Sequence, residues 1–332
     1  MRNTVSMQDI ADELNISKVT VSKALNGKPG VSEELKEKIF RLANHYEYTL
    51  PDYGQRRTRK VAIAMSGRFN NDQSGKFYMA MYEQMMMELR SASCTGMMVT
   101  PNRASLREDL AVIEEQNPDG LILLGILDRA VRDRLNAIAV PKVYVDIYDE
   151  SGQSDSVVTE NIYSAYDVTM YLIRMGHRDI GFVGTIDATH SISDRYLGWA
   201  RALIEKKLPR RTEWIIPDRD ETGRAMEPPL PQRMPTAFMC NCDETAFRLI
   251  KQLRRSGLRV PEDVSIVGFD NDIYAELSEP GLTTVAVNTE EIGRTAAKRI
   301  VRRMESGGGG GEVRRIPGRL IVRDSVKKIS PV

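Results

Sequence analysis

The sequence predicts an α/β protein with an all-α helix-turn-helix headpiece at its N-terminus. Three observations carry this. Residues 6–48 hold three short segments with apolar residues at helical spacing, each opened by a serine. From residue 61 onward, short continuous apolar runs alternate with helical patterns, the mark of parallel sheets covered on both faces. That alternation runs to about residue 158 and then starts again, so a chain of 332 residues divides into two α/β units behind a small helical one.

In the headpiece, Ser6 stands as a cap with Asp9 three residues on, close to a capping box, and Ile10, Ala11 and Leu14 form one stripe. Asn15-Ile16 turns the chain. Ser17 caps a second helix, Lys18–Leu25, whose Val21, Ala24 and Leu25 face inward. Lys18, Val19, Ser22 and Lys23 lie on or near the other side, and Asn26-Gly27 suits the helix end because that pair tolerates left-handed backbone. Two short helices about a tight turn, with basic residues on the outer side of the second, describe a helix-turn-helix. Ser32 caps a third helix with Leu35, Ile39, Leu42 and Ala43 inward, and Glu33 and Glu34 suit the positive end of its dipole.

Residues 49–60 read as a linker, since Pro51, Gly54 and the run Arg56, Arg57, Arg59, Lys60 discourage a packed element. Strands are then expected at 61–65, 96–100, 119–124 and 140–146, with helices at 77–89, 106–115 and around Leu135. The methionines of 77–89 are read as core. The second unit begins with a helix at 161–175. Strands follow at 179–184, 213–216, 236–240, 264–270 and 282–285, and helices at 193–205, 243–256 and 290–305. Gly307 to Gly311 read as a flexible surface turn, with no strand or helix placed to make them a phosphate cradle.

The 47 basic and 46 acidic residues leave a formal charge of +1. Residues 1–60 hold eleven Lys or Arg against eight Asp or Glu, and the arginine run could lie along phosphates or form a solvated linker. Cys94, Cys240 and Cys242 make no disulfide framework, and Cys240-Asn241-Cys242 is too short a constellation for a metal site. His45, His177 and His190 suggest no zinc cluster, so no metal and no cofactor is expected. Neither a signal peptide nor a membrane-spanning run is evident, which predicts a reduced, cytoplasmic protein without a membrane partner. No Gly-x-Gly-x-x-Gly follows the first strand, no Walker-type Gly-Lys-Ser/Thr appears, and three scattered histidines support no Ser-His-Asp arrangement, so no enzyme is expected.

Residue identities sharpen the reading. Met7-Gln8-Asp9-Ile10-Ala11, then Ile16-Ser17-Lys18-Val19-Thr20-Val21-Ser22-Lys23-Ala24-Leu25-Asn26-Gly27, then Val31-Ser32, resemble the headpiece of the lactose-repressor (LacI/GalR) family of bacterial transcription regulators. The resemblance continues through Gly176-His177-Arg178-Asp179-Ile180, Ser193-Asp194-Arg195-Tyr196-Leu197-Gly198, the stretch 260–270, Leu282-Thr283-Thr284-Val285 and Arg323-Asp324-Ser325. It implies a two-lobed core like that of periplasmic sugar-binding proteins. The lobes would be residues 61–158 and 159–330, with a crossover near 285–325 and an effector in the cleft between them. It also implies a homodimer on a palindromic double-stranded DNA operator. A sugar or glycoside is the expected effector, a purine-type ligand the second choice, and repression of carbohydrate-utilisation genes the expected role. A cytoplasmic sugar-binding protein without operator recognition is the alternative. The C-terminal residues lack a heptad run, so a dimer is the default.

The resemblance places Lys18, Val19 and Lys23 at base-reading positions, where lysine donates to guanine and valine meets a thymine methyl. Phosphate contact alone is the competing role for the lysines. The family more often carries arginine at the position of Lys23, and lysine lacks its bidentate fork. Ser6, Thr20, Ser22, Asn26 and Ser32 are candidates for phosphate contact or for capping, two uses that compete for one side chain. In the cleft, Arg195 and Asp270 are the principal candidates, a guanidinium and a carboxylate that can each grip two hydroxyls. Asn241 and Asp243 end a strand that faces the same cleft, with N-capping of the next helix as the alternative for Asp243. Phe69, Asn71, Asp72, Phe77 and Asp146 are the first unit's candidates, an aromatic ring suiting a sugar face. Trp199 and Trp214 are expected to pack.

At the linker the sequence departs from the family, whose members usually carry an Ala-Arg-x-Leu segment that folds into a helix and pushes a leucine into the minor groove. That core is missing between Tyr48 and Lys60. The stretch is about four residues shorter, roughly one helical turn. Arg56 or Arg57 as an extended arm, Leu50 or Tyr53 as a substitute wedge, and a less bent operator are the expectations.

Overall fold

Serine caps set the headpiece helices. The structure, a computed structural model, describes residues 5–25, 29–46, 48, 58–66, 74–307 and 309–330. Ser6 opens α1 (Met7–Glu13) with a complete capping box: its Oγ accepts the Asp9 N–H at 3.4 Å and its own N–H donates to Asp9 Oδ2 at 2.7 Å. Ser17 Oγ accepts the Thr20 N–H at 3.0 Å at the start of α2 (Lys18–Leu25). Ser32 accepts from Leu35 at the start of α3 (Glu33–His45). Ile10, Ala11, Val21, Ala24, Ile39 and Ala43 form the core of this unit, which spans residues 1–58.

The second unit, residues 59–332, contains two sheets. The first lobe runs β1 (Arg59–Met65), α4 (Ser74–Ser91), β2 (Cys94–Val99), α5 (Leu106–Gln116), β3 (Gly120–Leu124), α6 (Arg129–Ala137), β4 (Lys142–Val145) and β5 (Asp155–Thr159). The chain continues with α7 (Asn161–Arg174), β6 (Ile180–Val183), α8 (His190–Glu205), β7 (Ile215–Ile216), β8 (Ala237–Cys240), α9 (Asp243–Arg255), β9 (Ser265–Val267), α10 (Ile273–Leu277) and β10 (Thr284–Ala286). It closes with α11 (Thr289–Ser306), β11 (Val313–Ile316) and β12 (Arg319–Ile321).

The first sheet has the order β11-β5-β4-β3-β1-β2 and the second β7-β6-β8-β9, all neighbours parallel, while β10 and β12 form an antiparallel pair. Both faces of each sheet are covered, which is why the strands read as continuous apolar runs. Met81, Met85 and Leu89 of α4 and Ile292, Ala296 and Ile300 of α11 cover one face of the first sheet; Leu110, Ile113, Val131 and Leu135 cover the other. In the second lobe, Val168, Leu172, Trp199 and Leu203 lie on one face and Ala246, Leu249 and Leu253 on the other. Trp199 and Trp214 are both fully buried.

Four elements, β5, α10, β11 and β12, have no counterpart in the sequence reading. The start of β5 looks polar because Asp155 is a buried counter-ion: Arg303 Nη1 lies 3.0 Å from its Oδ1 and Arg299 Nη1 3.5 Å from its Oδ2. The edge strand β11 exposes Val313, Arg314 and Arg315 and buries only Ile316, so it carries no apolar run. The glycine run is correspondingly more than a loose turn. Gly307, at φ +72°, ends α11, and the Gly311 N–H donates to Gly152 O at 2.8 Å, where a Cβ would meet the Ser154 carbonyl oxygen at 2.2 Å. The chain crosses between lobes after β5, between β10 and α11, and between β11 and β12. Thus α11 and β11 belong to the first lobe although they follow the whole second one.

Candidate functional site

On α2 the inward positions Val21 and Ala24 are buried, which turns Lys18, Val19 and Lys23 outward together. Val19 is 63% exposed, an apolar side chain left in water on a helix whose opposite stripe is packed. Ser22 is half-buried at the same turn. The hydroxyls of the other candidates are engaged locally: Thr20 Oγ1 shares a hydrogen bond with Ser17 Oγ at 2.8 Å, Ser6 is tied into its capping box, and Ser32 caps α3. Arg59, expected in the linker, is instead the first residue of β1, and its Nη1 lies 3.0 Å from Glu305 Oε1. Asn26, Arg56, Arg57, Phe69, Asn71 and Asp72, with Leu50 and Tyr53, lie outside the described residues.

The second cluster is built around Arg195 on α8, only 5% exposed. Its Nε donates to Asn161 Oδ1 at 2.9 Å, its Nη1 donates to the Asn241 carbonyl at 2.6 Å, and its Nη2 lies 3.0 Å from Asp270 Oδ1. The guanidinium sits 3.8 Å from the centroid of the Phe269 ring. Four elements or their ends thus fix one cation. Asp270 follows β9 at φ +106° and Asn271 at φ +56°, a left-handed pair that turns the carboxylate toward Arg195.

Asp243 holds that turn. Its Oδ2 accepts the Asp272 N–H at 3.0 Å and its Oδ1 accepts from Thr284 Oγ1 at 2.6 Å. It therefore ties the loop after β9 to the start of β10, where the sequence offered ligand contact or a helix cap. Gly268 leaves it room, since a Cβ there would lie 2.1 Å from Asp243 Oδ1. Asn241 is also turned inward: its Nδ2 donates to Asp218 Oδ2 at 2.8 Å and Val183 O at 3.1 Å, while its backbone carbonyl braces Arg195. Asp218, which no motif signalled, is buried and also accepts from the Thr185 N–H and Thr245 Oγ1. Burial pushes its carboxyl up, but Arg219 and these donors hold it below the ordinary value.

From the first lobe, Asp146 stands at φ +60° just past β4 and accepts from Tyr78 Oη at 2.8 Å. Burial raises its carboxyl, against the pull of Tyr78 and of Arg195 from the opposite lobe. Burial likewise pushes Asp270 up to about 7; Arg195 opposes this, and Asp272 and Asp146 add to it. Phe77 packs against the first-lobe core, edge to Tyr78 with centroids 5.3 Å apart. Tyr148, also unsignalled, donates from the first lobe to Asp194 Oδ2 of the second at 2.8 Å. Two carboxylates from opposite lobes near one held guanidinium have the chemistry to accept hydrogen bonds from hydroxyl donors.

Residues 6–50 match the family model for bacterial regulatory proteins, lacI family, and residues 169–326 that for the periplasmic binding protein-like domain. The chain belongs to the lacI family of bacterial regulatory proteins. As a lacI-family chain it is a DNA-binding, ligand-responsive transcription regulator. It is 25% identical to the HTH-type transcriptional repressor PurR of Vibrio parahaemolyticus, over 98% of this chain and 99% of that one. It is 28% identical to the ribose operon repressor of Haemophilus influenzae, over 91% and 92%. Among solved structures, a transcriptional regulator CelR–cellobiose complex superposes with a TM-score of 0.69 at 25% identity, covering 97% of this chain and 99% of that chain. The lac repressor dimer bound to operator and the anti-inducer ONPF superposes at 0.68 over 98% and 100%; at 18% identity it speaks for the lacI-family fold alone. Among the described residues, no helix is long and apolar enough to cross a membrane.

Proposed function

We propose that this chain is a repressor that binds a palindromic operator as a homodimer and changes its hold on DNA when a sugar or glycoside fills the cleft. The observation that carries the reading is the cluster where the lobes meet: Arg195 held by three partners, Asp270 among them, with Asp146 of the other lobe close enough to feel its charge. Carboxylates that accept from hydroxyls suit a polyol. The ribose operon repressor and the CelR–cellobiose complex among the relatives support a carbohydrate. Lys18, Val19 and Lys23 read bases from the exposed face of α2, and a two-fold dimer presents that face to two half-sites.

The test is selection of duplexes from a random pool by the full-length protein, with and without a panel of mono- and disaccharides. Enrichment of a palindrome whose retention changes with one sugar supports the proposal. Lys18→Ala then costs about 1–3 kcal/mol of discrimination at one base position per half-site, measured by anisotropy. Recovery of no preferred sequence under any condition overturns it.

A further inference from the structure

We infer that Thr159, the last residue of β5, is a further effector contact, and that its hydroxyl selects a ligand carrying an oxygen on the side that faces the first lobe. This rests on the carbohydrate reading of the site where the lobes meet. Thr159 is 1% exposed, and its Oγ1 has no hydrogen-bond partner among the described residues. Buried hydroxyls are nearly always paired, and one left unpaired among apolar groups destabilises the fold.

Its place in the fold gives the hydroxyl a use. Thr159 stands at the carboxyl end of the first sheet, the end at which parallel α/β sheets take ligands. Asp146 lies just past the neighbouring strand β4, and two residues beyond Thr159 the side chain of Asn161 holds Arg195 Nε. By strand alternation Thr159 shares a face with Val157, which packs in the core beneath α4 and α11. Tyr78, whose Oη bonds Asp146, comes from α4 on that same face. What this face otherwise supplies near the strand ends is apolar: Val157, Ile292, Ile316 and Val287. Val287 packs against the cores of both lobes, and its N–H donates to the Asp270 carbonyl. Asp270 Oδ1 likewise has no hydrogen bond, although Arg195 Nη2 lies 3.0 Å away. The junction of the lobes thus leaves a hydroxyl of the first and a carboxylate oxygen of the second unbonded. A ligand oxygen accepts from Thr159 and a ligand hydroxyl donates to Asp270; a carbon bearing only hydrogen satisfies neither, and a site built to bond an oxygen rejects the analogue lacking it.

The experiment compares Thr159→Val, which nearly keeps the shape and removes the hydroxyl, with Thr159→Ser, which keeps the hydroxyl, both in the full-length protein. Thermal unfolding midpoints are read without ligand, and affinities by calorimetry with glucose, galactose, ribose, xylose and cellobiose. The expected midpoint of Thr159→Val is about 2 °C above that of the parent, because an unpaired buried hydroxyl is gone. Its affinity for the sugar that binds is expected to fall about threefold to tenfold, while Thr159→Ser stays within about twofold of the parent. A Thr159→Val protein no more stable than the parent overturns the inference, since the hydroxyl would then have a partner within the fold. Unchanged sugar affinity in Thr159→Val overturns it too, as does an equal loss in Thr159→Ser, and in each case the carbohydrate reading stands. Binding by no member of the panel overturns the carbohydrate reading and this inference together.

Discussion

Arg195 has all three of its guanidinium nitrogens engaged by protein groups. Ligand recognition at this end of the cleft then falls on the carboxylates it orients, and their protonation decides what they can accept. Asp270, raised to about 7 by burial, is part-protonated at neutral pH. A sugar hydroxyl that donates to it needs the carboxylate. Below about pH 7 binding must expel a proton, so affinity falls by up to about tenfold for each pH unit of acidification and levels off above it. Calorimetry at pH 6, 7 and 8 with a sugar that binds checks this; constant affinity would exclude Asp270 as an acceptor. Arg195 and Asp270 were legible because each sits in a recognisable local motif. Asp218, Tyr78 and Tyr148 were not. Their partners Asn241, Asp146 and Asp194 lie 23, 68 and 46 residues away, and only the assembled strand ends bring them together.

At the level of elements, the junction of α7 and β6 explains a motif whose role the sequence left open. Gly176 has φ +103°, and a Cβ there would meet the Ile329 carbonyl oxygen at 2.0 Å, because the C-terminal segment lies against this turn. His177 is fully buried, with Nδ1 3.0 Å from Thr236 Oγ1 and Nε2 3.2 Å from the Lys327 carbonyl. Burial is the main reason its pKa falls to about 4. The folded form holds this imidazole neutral while the unfolded chain protonates it near 6.5. The stabilisation is therefore complete above pH 6.5 and is lost as pH falls toward about 4, a difference of about 3 kcal/mol. Urea midpoints at pH 7.5 and 4.5 measure the total acid loss. The ring protons of His177 should keep their neutral shifts down to about pH 5; a titration near 6.5 would remove the assignment. Elements with a run of apolar residues, such as β3 and β8, could be read from the chain. The edge strand β11 could not, since three of its four residues face water and its pairing with β5 is fixed by register between Val313 and Ser156.

For the molecule as a whole, the consequential feature is that the core chain passes between lobes three times while the candidate ligand groups sit on both sides. Asp146 belongs to the first lobe and Asp270 to the second, so a ligand that bonds both carboxylates favours one relative setting of the lobes over another. DNA affinity changes only if operator and ligand prefer different settings, or the same one, and linkage makes the effect mutual. If a sugar weakens operator binding by a given factor, the operator must weaken sugar binding by that factor, commonly about 5- to 150-fold, or about 1–3 kcal/mol. The measurement is ligand titration of the full-length protein alone and saturated with a selected operator duplex, beside operator titration with and without saturating ligand. Equal factors in the two directions are expected. Sugar affinity that stays the same with operator bound would mean that the cleft and the headpiece work independently, and the regulator would then need another source for its response.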